Sequence, residues 1–308
     1  MSRTATALAL SLIAGSVLAA PKPVTKPAPA AAAAKATPAP TMAELLAKSP
    51  AEDWRAVDPA NTLYMDLPTG RVVIELAPVF APNHVANIKA LVRSGYFDAS
   101  AVVRSQDNYV AQWSAPEGRA LTAGQAKLKA EFDQPIGSEP FTRLPDPDTY
   151  APEVGFSGDF PIARDPKANR TWMVHCYAMV GAGRDEDADS GGGTELYAVN
   201  GEAPRNLDRN VTLVGRVVQG MEALSVLPRG TGDLGFYKTD KEKTPIQRIR
   251  IAADLPEAER IPLEALRTDS PTFKALIQNR RFRKDAWYKY PWGHIGVCNM
   301  PLPVRVRR

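Results

Sequence analysis

The feature that most constrains this chain is a pair of β-runs, TLYMDL from Thr62 and RVVIEL from Arg71, separated only by Pro68, Thr69 and Gly70. Runs rich in large apolar and β-branched residues, broken by such a turn, predict a hairpin. A helix is predicted next. Pro82 suits a first helical position, Val85, Ile88, Leu91 and Val92 form one apolar stripe, and Gly95 stands where a helix end favours a residue tolerant of positive φ. YFDASAVVRSQDNYVAQW then supplies another strand pair or a bent strand.

Within that last segment, VVRSQDNYVAQWSA (Val102 to Ala115) is where chemistry is expected. An arginine leaving an apolar run must find partners, line a cleft or reach water, because an isolated buried charge is prohibitively costly. Two readings stand. Arg104, Tyr109 and Gln112 form a polar group set into an apolar wall, or Arg104 points from a surface strand into solvent.

The order of elements resolves the choice by resemblance. A hairpin, a helix opening at Ala-Pro, a Gly-Tyr-Phe-Asp turn, and an arginine followed by an aromatic and then a glutamine resembles the cyclophilin-type peptidyl-prolyl isomerases. Further along, WMVHCYAMVGAG (Trp172 to Gly183) resembles the family's small-residue strand, and GGGTELYAV (Gly191 to Val199) its Ser-Gln-Phe-Phe-Ile segment. NLDRNVTLVGRVVQGMEAL (Asn206 to Leu224) resembles the run that closes the barrel, and KAEF (Lys129 to Phe132) a strand in the same place.

The resemblance implies a mainly β fold, a closed eight-stranded antiparallel barrel capped by two helices over Asn61 to Ala253. It implies a peptidyl-prolyl cis-trans isomerase, needing neither cofactor nor metal, that acts on X-Pro bonds of polypeptide clients as a monomer. Arg104 is then the catalytic arginine and Gln112 the residue orienting the substrate backbone. Tyr109, Val110, Tyr197 and Leu207 wall the proline pocket, and Val180, between Met179 and Gly181, lies at the substrate-binding strand end.

Four positions depart from the family pattern. Val103 stands where histidine is common, Glu195 where glutamine is usual, Asn206 for a tryptophan, and Val211 for a histidine at the pocket rim. A carboxylate only accepts hydrogen bonds, so Glu195 either pairs with Arg104 or faces solvent. The alternative function is a weak or inactive peptide-binding module that uses the same cleft without turnover.

The flanks read differently from this core. Arg3 followed by the short apolar run Ala7 to Ala20, ending near Val17, Leu18 and Ala19, predicts a secretory signal over residues 1–20, or a retained anchor. Residues 21–41 are a Pro/Ala-rich linker and 42–60 a lead-in with one or two helical turns. The location implied is exported, in the periplasm, which argues against a nucleic-acid partner.

After Ile251 the resemblance ends, and residues 254–308 form a basic aromatic extension. From Arg260 to Arg308, eleven Lys or Arg face three acids, +8, which leaves −4 for the remainder of a +4 chain. Such a tail either docks on its own domain or meets an envelope surface. In an oxidising compartment Cys176 and Cys298 can pair and tie it back, though Cys176 alone also reads as an ordinary small core residue. Gly137 to Arg170, rich in Pro, Asp and Gly, reads as an elaborated surface loop, and His175 as a satisfied core or edge histidine.

Overall fold

The computed structural model describes residues 40–307, so the signal segment and all but the end of the linker lie outside the described residues. The chain enters through α1 (Met42–Ala47), started by a reciprocal capping box between Thr41 and Glu44. β1 (Trp54–Ala56) follows. β2 (Thr62–Leu67) and β3 (Gly70–Leu76) make the expected hairpin, with Leu63 opposite Ile74 and Met65 opposite Val72. Every residue of β2 is buried, so the sheet is covered on both faces.

α2 (Pro82–Arg93) lays Val85, Ile88, Leu91 and Val92 onto the inner face, as the apolar stripe requires. β4 (Ala101–Ser105) and β5 (Val110–Ser114) pair next. KAEF, expected as a strand, is not one. Glu131 instead accepts the backbone N–H groups of Asn83 and His84 at 3.1 and 2.9 Å, capping the start of α2 that Pro82 cannot satisfy by itself.

The region expected as a surface loop is a second sheet. β6 (Gln134–Pro135), β7 (Thr142–Arg143), β8 (Glu153–Ser157), β9 (Phe160–Asp165) and β10 (Arg170–Met173) run in the order β6-β10-β9-β8-β7. The β8–β9 turn is only Gly158 and Asp159, both at positive φ, and it opposes Ser157 to Phe160. That dipeptide is the hairpin signal hidden among the prolines.

The chain returns to the main sheet with β11 (Met179–Ala182), β12 (Glu195–Val199) and β13 (Leu213–Gln219), then α3 (Met221–Ser225), β14 (Thr244–Pro245) and β15 (Arg248–Ile251). Its order is β14-β4-β5-β12-β11-β13-β3-β2-β15. The closed eight-stranded barrel is therefore corrected to an open, curled sheet of nine strands. Its two edges do not pair with each other: β14 runs beside β4 and β15 beside β2. Ile246 and Gln247 cross between them, donating to Ser100 and Asp66 carbonyls at 2.8 and 2.9 Å, while Pro245 has no N–H to extend a ladder.

Inside the curl lies one apolar cluster around Trp113, Met65, Ile88 and Val214. Outside lies another, in which Val110, Val199 and Leu213 of the main sheet meet Phe156, Trp172 and Phe273. Phe273 belongs to α4 (Pro271–Arg281), between β16 (Leu263–Leu266) and β17 (Val304–Val306). The lead-in and the extension share one sheet, β1-β16-β17, and so build a single covering. Arg281 forks onto Asp146 with both contacts at 2.8 Å. Trp287, Tyr290 and Trp292 take no part in this packing, standing 80–84% exposed.

A disulfide joins Cys176 to Cys298, their Cα atoms 4.9 Å apart and 122 residues distant in sequence. Closing a loop of that length stabilises by about 4–5 kcal/mol if the effect is chain entropy alone. Replacing Cys298 (Cys298→Ser) is expected to lower the urea unfolding free energy by up to about that amount. It should also raise hydrogen exchange in β17; unchanged exchange there would show that packing alone holds the extension.

Candidate functional site

Strand register builds the site. Arg104 on β4 opposes Gln112 on β5, Gln112 opposes Tyr197 on β12, and Tyr197 opposes Gly181 on β11. Directly opposed residues share a face, so the four form one row on the outer side of the sheet. The row accommodates Tyr197 only because β11 carries a glycine: a Cβ at Gly181 would lie 2.3 Å from the tyrosine ring and hydroxyl.

Arg104 is half-buried and held on several sides. Its Nε donates to the Leu234 carbonyl at 2.7 Å, one Nη to Gln112 Oε1 at 3.2 Å, and the other to Gln106 Oε1. The rings of Tyr109 and Phe236 flank the guanidinium, with centroids 5.3 and 5.0 Å away. Burial draws its pKa below the usual arginine range, yet the group stays a cation.

The anchoring carbonyl depends on an unusual turn. Leu234 sits at φ 54°, a left-handed conformation that costs roughly 1–2 kcal/mol for an L-residue. Gly235 follows at φ 80°, where a Cβ would come within 2.7 Å of the Gln106 backbone. The sequence reading missed this loop. PRGTGDLGF, with three glycines in six residues, was the available signal.

Gln112 is nearly buried and links two partners. While its Oε1 accepts from Arg104, its Nε2 donates to Glu195 Oε2 at 2.7 Å. Glu195 therefore does not pair with Arg104: it is exposed to solvent, as one of the two readings has it, and is tethered there by the glutamine. An open cleft of about 820 Å³ lies beside it, lined also by Tyr96, Val103, Ser114, Arg119 and Lys243.

Tyr109, Val110, Tyr197 and Val211 all pack in the outer apolar cluster. Leu207 is half-buried outside that cluster, and Asn206 is exposed. Val180 is placed otherwise than expected: its side chain is buried in the inner cluster, and its neighbour Gly181 occupies the site face. The alternation of strand side chains dictates this exchange.

Behind Tyr197 lies a buried polar chain. His175 Nδ1 faces Asp208 Oδ1 at 3.0 Å and so carries the proton, leaving Nε2 to accept from the Tyr197 hydroxyl at 2.9 Å. Asp208 also accepts from the His175 backbone N–H and from Arg205, which forks onto Asp148. Burial pushes the Tyr197 hydroxyl well above the ordinary tyrosine range. His175 is thus the satisfied core histidine expected, with the added task of fixing a ring in the site row.

Burial also pulls the His175 pKa below 6.5, outweighing the opposing pull of Asp208. Between the folded and unfolded values the unfolded chain binds more protons, so this group's stabilisation is complete above about 6.5 and is lost as pH falls below it. The urea midpoint is expected to drop between pH 7.5 and 5. His175→Gln should be less stable at pH 7.5 but show a flatter slope, and an unaltered slope would remove His175 as its source.

Residues 62–253 match the family profile described as cyclophilin type peptidyl-prolyl cis-trans isomerase/CLD. A probable peptidyl-prolyl cis-trans isomerase of Brucella suis biovar 1 is 29% identical over 177 residues, covering 57% of this chain and 76% of that protein. Its counterpart in Brucella melitensis biotype 1 gives the same figures. The crystal structure of cyclophilin AquaCyp293 from Hirschia baltica aligns at a TM-score of 0.68 and 26% identity, over 87% of this chain and 98% of that one. By the extent of the family match, and with the arginine–glutamine row in place, the chain belongs to the cyclophilin-type peptidyl-prolyl cis-trans isomerases.

Proposed function

We propose that this isomerase acts on X-Pro bonds of exported polypeptides, in the periplasm once residues 1–20 are removed, with Arg104 donating to the prolyl nitrogen as the amide twists. A planar prolyl amide is held by resonance behind a barrier near ~20 kcal/mol. Twisting breaks that resonance and returns a lone pair to nitrogen. A donor that engages only the twisted state lowers the barrier, with no nucleophile, base or metal required.

The observation that carries this reading is the fixed but unsaturated guanidinium. Arginine offers five N–H donors. Three of those on Arg104 are committed to Leu234, Gln112 and Gln106, which leaves two for a substrate. Half-buried Tyr109 supplies apolar surface for the proline ring, backed by the buried Val110 and Tyr197, and Gln112 supplies an amide to align the backbone.

In a proline-peptide assay, Arg104→Ala is expected to lower kcat/KM on the order of 10²-fold, with little change in urea midpoint. Wild-type turnover in that variant would end the proposed role. Gly235→Ala, which forces the Leu234 carbonyl away from Arg104, is expected to lower kcat/KM by about tenfold or more.

One observation favours a second reading, a weak or inactive peptide-binding module: the Gln112 amide is already engaged by Glu195. Glu195→Gln restores a side chain able to donate and should raise kcat/KM about three- to tenfold, the worth of one net hydrogen bond. Wild-type protein that binds a proline peptide without speeding its isomerisation would establish the second reading instead.

A further inference from the structure

A cavity of about 390 Å³ lies apart from the Arg104 row, where β11 and β13 meet the C-terminal extension. Met42, Met179, Val217, Val297, Met300 and Leu302 give it apolar walls, and the Cys176–Cys298 bridge forms part of its lining. Two guanidinium side chains line it as well, Arg216 and Arg280, with no aspartate or glutamate among the lining residues.

The arginines are incompletely satisfied. Arg216 is 5% exposed, and its buried Nε has no partner. Among the described residues its only carboxylate contact is Nη2 to Glu75 Oε2 at 3.4 Å. Glu75 is shared with Arg55 at 2.6 Å, and Arg55 also holds Asp159. Those two cations and two carboxylates balance. Arg280 adds one positive charge that makes no ion pair among the described residues, and its buried Nε also lacks an acceptor. Burial draws Arg216 below the ordinary arginine range despite Glu75.

Orphaned buried donors are costly and call for an acceptor. One uncompensated positive charge calls for one negative charge, and a guanidinium edge matches a planar carboxylate best. Apolar walls with three adaptable methionines favour a hydrocarbon body over a bare inorganic ion. We infer that this cavity is a binding site, separate from the isomerase row, for a small monocarboxylate with an apolar body, its carboxylate lying against Arg216 and Arg280.

The test is titration of octanoate into the full chain carrying ¹³C-methyl methionine, followed by NMR. Saturable shifts are expected at Met42, Met179 and Met300, which line the cavity, and not at Met65 or Met221 in the inner cluster. Octanol, without the charge, and sulfate, without the apolar body, should not reproduce them. Arg280→Met, on the half-exposed face of α4, should retain the wild-type urea midpoint and weaken octanoate binding at least tenfold. Absence of saturable shifts at the three lining methionines, equal shifts with octanol or sulfate, or undiminished binding in a folded Arg280→Met variant would each overturn the assignment.

Discussion

A strand buried on both faces imposes the architecture, because apolar alternation cannot then be satisfied by one core. β2 is such a strand, with Leu63, Met65 and Leu67 in the inner cluster and Tyr64 in a separate outer one. Curling the sheet around α2 covers only the inner set. The outer set needs material from elsewhere, and the chain supplies it with the β6–β10 sheet, the lead-in strand and the extension. What this covering leaves open is the strip bearing Arg104, Gln112 and Glu195, so the site is defined by where the outer packing stops.

That strip combines fixed and restrained groups. The left-handed Leu234 would be costly without a return, and the carbonyl it presents orients the one cation in the row. On the other side, His175 fixes Tyr197 from beneath while Asp208 fixes His175. Rotational freedom is thereby removed from both the donor and the apolar floor before any peptide arrives. Glu195 is one of the departures from the family pattern, and its coupling to Arg104 passes through a single glutamine side chain.

The hairpin, α2 and the Arg104–Gln112 spacing were legible because their signals are local: alternation, a 3.6-residue stripe, a proline at a helix start. The β8–β9 hairpin was not, since Gly158-Asp159 sits in a stretch whose prolines and aspartates resemble loop composition. The strand end carrying Val180 was legible but the face of its side chain was not, because a shift of one residue reverses a strand's orientation. The glycines around Leu234 mark a turn, but its contact with Arg104, like the shared β1-β16-β17 sheet, was illegible for another reason: each joins segments more than a hundred residues apart.

The pairing of β1 with β16 has a consequence in time. Trp54 opposes Leu266, β17 completes that sheet at Val304–Val306, and Cys298 reaches back to Cys176. A ribosome releases the first of these residues long before the last. The hairpin and α2 can form while the chain is still being made, but the part of the outer face that the extension covers stays bare until β16, α4 and β17 emerge. Contacts of such sequence separation form slowly and expose apolar surface meanwhile. Synthesis and any transport that precedes folding therefore set a period in which this chain presents an unfinished surface.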